Sequence, residues 1–98
     1  MSKLSNQKIL KQIGIVMKDV RFSNSNRNLY LAILICWKEQ AFPTQIKITR
    51  KDLMRRSNIA SSSTYHLAIN RLVHLGFIRY IPTYDPYQGS IAVLVNMI

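Results

Sequence analysis

Apolar side chains near the start of the chain recur at helical spacing. Ile9, Leu10, Ile13, Val16, Met17 and Val20, with Leu4 ahead of them, form one stripe, the mark of an amphipathic helix over 4–20. Gly14 and the β-branched residues weaken that expectation, and a short helix followed by extended chain fits the same pattern. Phe22, Ser23, Asn24, Ser25 and Asn26 then interrupt it with capping side chains. A second helix is expected from there to about Gln40. Its middle, 29–37, is apolar on every face, as in a helix buried among other elements, and Pro43 lies past its end. Gln45, Ile46, Lys47 and Ile48 alternate like a short strand. Thr49, with Asp52 three residues on, reads as a capping box with Asp in place of Glu. It opens a short helix over 50–56 that turns Leu53 and Met54 inward. Residues 57–60 form a turn whose corner Ile59 can plug. Ser61, Ser62, Ser63 and Thr64 offer N-caps to a helix that runs to about Leu75 and stops at Gly76 in a left-handed cap. Its stripe is Tyr65, Ala68, Ile69, Leu72 and Leu75. Residues 77–82 and 90–95 read as strands joined by a turn at Asp85, Pro86, Tyr87, Gln88 and Gly89. The expected class is α+β, mainly α, ending in a β-hairpin.

Composition narrows what such a fold does. The 98 residues allow one domain, 1–98. An apolar fraction of 48% with 18% charged residues belongs to a folded chain rather than a disordered one. Fourteen Lys and Arg face four Asp and Glu, a formal net charge of +10. A small domain this basic repels itself, and a polyanionic partner is the usual reason to tolerate that. Cys36 is the sole cysteine, so no intramolecular disulfide forms, and its place in the apolar run makes it a buried, inert thiol. Residues 1–11 are polar and basic, unlike a secretory signal, and the longest apolar run, nine residues, is too short to span a bilayer. The expectation is a cytoplasmic protein with no membrane partner.

Two short helices joined by a tight turn and followed at once by a hairpin make a winged helix-turn-helix. Ile48, Thr49, Arg50, Lys51, Asp52 and Leu53 resemble the opening of the first helix in bacterial regulators of the MarR and GntR kinds. The stretch 63–78, from Ser63 and Thr64 through Ala68, Leu72 and Leu75 to Gly76, Phe77 and Ile78, resembles their recognition helix and its exit. Tyr65 is bulkier than the Val or Ile usual at its slot; it either packs sideways in the core or sends its hydroxyl to the surface. The stretch 80–94 resembles the wing of short regulators carried on bacterial mobile elements. The likeness covers about half the chain. It implies a winged-helix core over 23–98, preceded by an N-terminal segment, 1–22.

If Tyr65, Ala68, Ile69 and Leu72 face the core, the opposite face of that helix carries Ser62, Ser63, His66, Leu67, Asn70 and His74. Such a helix enters the major groove of double-stranded DNA. Asn70 suits adenine, Ser62, Ser63 and His66 suit base edges, and Leu67 suits a thymine methyl. Capping is the plainer role for the serines. Lys47, Arg50, Lys51, Arg55, Arg56, Arg71 and Arg79 cluster around the motif against one acid, Asp52, and read as a phosphate track, with Gln88 added from the wing. Arg71 is alternatively a structural partner for Asp52. The wing tip carries no Arg or Lys.

Catalysis is a poor reading. Two His, one Cys and four acids show no metal-ligand spacing, His66 and His74 lie about 12 Å apart along one helix, and no glycine-rich phosphate loop occurs. No cofactor, metal or small-molecule ligand is expected, and there is no room for a sensing domain. Sequence-specific DNA binding by a transcriptional regulator is the leading reading. A replication-initiation or excision accessory factor of a mobile element uses the same contacts, and a winged-helix protein-docking module is the rival from another class. Tight specific binding favours two copies on a palindrome, which makes the N-terminal stripe, with Ile13 and Met17, a candidate homodimer contact.

Overall fold

The computed structural model describes residues 2–83 and 89–95, with side chains from Leu4 onward. It is α+β and mainly helical. Helix α1 spans Ser2–Lys18, α2 Asn24–Glu39, strand β1 Ile46–Ile48, α3 Arg50–Ser57, α4 Ser62–His74, β2 Ile78–Ile81 and β3 Ser90–Leu94. The expected turn at 85–88 lies outside the described residues. No described helix is long and apolar enough to cross a membrane.

Side-chain caps set the helix starts. Ser23 accepts from the Asn26 N–H to open α2, Thr49 from the Asp52 N–H to open α3, and Ser61 from the Thr64 N–H to open α4. Each satisfies one of the donors that a helix start leaves unpaired. The box expected at Thr49 is one-sided, because the Asp52 carboxylate turns away to Arg55 and Arg56. Helix α2 ends in a tight reversal. The Phe42 N–H reaches the Trp37 carbonyl at 2.8 Å, and the two rings meet edge-on at 4.8 Å. Ala41 and Phe42 both hold positive φ, 65° and 61°, where a β-carbon costs about 1–2 kcal/mol per residue; the Trp37–Phe42 contact offsets part of that.

The apolar middle of α2 is buried on nearly every side, as its composition requires. Leu29, Tyr30, Ala32, Ile33, Leu34 and Cys36 are all buried, and α1, α3, α4 and β1 pack around it. The strands lie in the order β1-β3-β2, both pairings antiparallel, with Ile46 opposite Ala92 and Ala92 opposite Tyr80. Ile46, Ile48, Ile78 and Ala92 point into the core. The free edge of β1 is covered: the Gln40 side chain accepts from the Lys47 N–H at 2.9 Å and donates to the Lys47 carbonyl at 2.7 Å. Gly89 (φ 69°) leads into β3 where any Cβ would lie 2.4 Å from the Ile48 carbonyl oxygen, so only glycine lets the strands close there.

Helix α1 is continuous through Gly14, so the extended alternative does not occur. Its stripe is split. Val16 is buried and Ile9 and Ile13 are half-buried, whereas Leu10, Met17 and Val20 are exposed. Gln12, outside the stripe, is buried in their stead. It hydrogen-bonds the Tyr30 hydroxyl, whose pKa burial pushes up to about 12. The far end of α1 is held by Arg27, which donates to the carbonyls of Val16 and Asp19, both at 2.9 Å. Phe22 is core, edge-on to Tyr30 and Phe77, so the N-terminal segment is anchored at its last residue.

Candidate nucleic-acid interface

Helix α3 ends in a left-handed residue, Asn58 (φ 59°). The Ile59 N–H bonds the Met54 carbonyl at 2.9 Å, and the Ile59 side chain is buried in the corner, as its position in the sequence suggested. That reversal leads straight to Ser61, and α3 and α4 both pack on α2. Helix α4 buries Tyr65, Ala68, Ile69 and Leu72. Of the two alternatives for Tyr65, the ring packs in the core, 1% exposed, and burial raises its hydroxyl pKa.

The opposite face is open. Ser62, Ser63, His66, Leu67 and Asn70 are all exposed, and the structure brings these five residues together on one surface. Ser61 takes the capping role, which frees Ser62 and Ser63 from it. Leu67 is 70% exposed, a large apolar group standing among polar ones. His66 meets the buried Tyr65 ring edge-on at 5.4 Å, which restrains the imidazole. From Ser63 to Asn70 the face is about 10 Å long, comparable with the roughly 12 Å width of a B-DNA major groove. The first turn of α4 carries no acidic residue, so its N-terminal N–H groups and dipole favour an anion.

The cations divide into two sets. Arg56 is committed to structure: it donates to both Glu39 oxygens at 2.8 and 3.0 Å and to Asp52 at 2.8 Å, pinning α3 to α2. Those bonds hold the Glu39 carboxyl below its usual range and raise the Arg56 guanidinium. Arg55 also pairs with Asp52 but is 75% exposed; its hydrogen bond, with that of Arg56, lowers the Asp52 carboxyl. Lys47, Arg50, Lys51, Arg71 and Arg79 are exposed and form no ion pair among the described residues. Asp52 is therefore partnered by its own helix and not by Arg71. Gln88 lies outside the described residues.

Sequence reasoning missed Glu39. It belongs to another helix, 17 residues from Arg56, and no local spacing announces the pair. The Cys36 thiol is buried, 4.0 Å from the Asp52 carboxylate, and burial raises its pKa, so it is not an activated nucleophile. Compared with family models, curated proteins and solved structures, the chain matches none.

Proposed function

We propose that the chain is a winged helix-turn-helix protein that binds double-stranded DNA in a sequence-specific way and acts as a transcriptional regulator. On this reading α3 and α4 are the paired helices, β2 and β3 the wing and β1 its third strand, with α1 added at the front. Helix α4 lies in the major groove. Asn70 reads adenine, Ser62, Ser63 and His66 meet base edges, and Leu67 meets a thymine methyl. Arg50, Lys51 and Arg71, aided by Lys47 and Arg79, grip phosphates. The observation that carries the reading is the exposed polar face of α4, together with five exposed cations that form no ion pair among the described residues.

Fluorescence anisotropy on a mixed duplex pool across a salt series tests it. Five phosphate contacts give log affinity against log salt a slope of about −4 to −5. Arg50→Ala with Lys51→Ala should reduce that slope by about 2. On a site selected from the pool, Asn70→Ala should cost about 1–3 kcal/mol and leave the slope unchanged. Arg56→Ala is the wrong probe, because it breaks the junction of α2 and α3 as well as removing a charge. Absence of binding at roughly 50 mM salt, where non-specific contacts register, refutes the proposal.

A further inference from the structure

Helix α4 lacks the side chains that read a G·C pair. It holds no Asp or Glu, and Arg71 is its single Arg or Lys. Guanine is read most often by Arg or Lys at O6 and N7, and cytosine by a carboxylate that accepts from N4. Neither reader stands at the middle of the exposed face. On a helix that turns about 100° per residue, Ser63, Leu67 and Asn70 lie within about 30° of the direction opposite the buried Tyr65, Ala68, Ile69 and Leu72. His66 and Arg71 flank that line, about 70° to either side. The flanks of a helix seated in a groove face the sugar-phosphate strands, which suits Arg71 to phosphate.

We infer that the DNA taken by this face has an A·T core, read in the major groove by Leu67 against a thymine methyl and by Asn70 against adenine on a neighbouring pair, resting on the DNA-binding reading of α4. Leu67 and Asn70 are three residues apart, about 4.5 Å along the axis, and stacked bases are roughly 3.4 Å apart, so the two side chains serve successive pairs. Leu67 is 70% exposed and gains by leaving water for a methyl, which among the four bases only thymine carries. The Asn70 amide donates and accepts at once, as adenine N7 and N6 require. The other polar groups do not choose. A serine hydroxyl bonds any base edge, and one imidazole N–H reaches N7, which both purines present. The segment between β2 and β3 offers no route through the minor groove. A·T tracts narrow that groove and draw in Arg or Lys, and residues 82–89 include neither.

Sites selected from a random duplex pool by the full chain test this, and they should share neighbouring A·T pairs at their core. Anisotropy at fixed salt then locates the readers in the best site. Uracil in place of the core thymine removes one methyl and should weaken the parent about fourfold, while leaving Leu67→Ala unmoved. An inosine–cytosine pair in place of the core A·T pair keeps the minor-groove pattern and presents the edge of guanine in the major groove. It should weaken the parent about tenfold or more, and Asn70→Ala far less. Arg71→Ala should lower the salt slope by about 1 and select the same core. All three substitutions are at exposed positions, and thermal melts report that each variant is folded. Sites with a G·C core, a parent that tolerates inosine–cytosine, or a guanine preference that vanishes with Arg71→Ala overturns the inference and leaves DNA binding standing. A chain that binds no duplex at roughly 50 mM salt overturns both.

Discussion

Helices α1 and α4 carry apolar stripes of the same period, and the fold treats them differently. Helix α4 sinks its stripe: Tyr65, Ala68, Ile69 and Leu72 are all buried between α2 and the sheet. Helix α1 packs mainly on α2, buries Val16 and leaves Leu10 and Met17 in water. A stripe reports that a helix has a face, not how deep the face goes. Depth depends on how many elements close over it, and α1 is covered from one side.

The comparison breaks first at its deepest point. Leu72→Ala should cost about 3 kcal/mol, since a fully buried leucine leaves a cavity, whereas Leu10→Ala should stay within about 0.5 kcal/mol. Chemical denaturation of the two variants measures the gap, and equal losses would show that α1 is as integral as α4. Next comes the hold on α1. Arg27→Ala removes two charge-assisted bonds to the carbonyls of Val16 and Asp19 and should cost about 1–2 kcal/mol, concentrated in α1. Hydrogen exchange should quicken at least about tenfold in α1 and change little in α4; uniform loss of protection would make α1 part of one cooperative unit.

The smallest effect is acidic. The Arg21 hydrogen bonds hold the Asp19 carboxyl at about 2, and Arg55 and Arg56 lower those of Asp52 and Glu39. A carboxyl with a depressed folded-state pKa contributes stability above its unfolded pKa and loses it as pH falls through the folded value. Stability should therefore decline as pH drops from about 4, and the corner between α1 and α2 should persist to about pH 2. Carboxyl titration by NMR follows each group, and an Asp19 that titrates near 4 would remove its bond to Arg21 from the account.

Much of this was legible in the sequence because it is local. Caps at Ser23, Thr49 and Ser61, the plug at Ile59 and the stop at Gly76 each depend on neighbours within a turn. The buried stripe of α4 and its exposed polar face follow from one period. What was not legible crosses elements. Glu39 reaches Arg56 from another helix, Arg27 caps α1 from α2, and Gln12 displaces Leu10 and Met17 from the buried face by pairing with Tyr30. The pairing of β1 with β3 also depends on the whole fold. The cluster of cations expected to grip phosphates is the instructive case. Sequence counted seven cations against one acid, and folding brings in a second acid that retires Arg56.

The amide of Gln40 imitates a neighbouring strand for Lys47, accepting and donating as a paired backbone would. It stops the sheet from growing in that direction. An extended segment of another molecule seeking to add itself there must first pull away a side chain already bound twice. Sheet extension is thereby confined to the β2 side, where Arg79 and Pro82 discourage stacking. The chain thus carries, in Gln40, a one-residue guard against fibrous assembly.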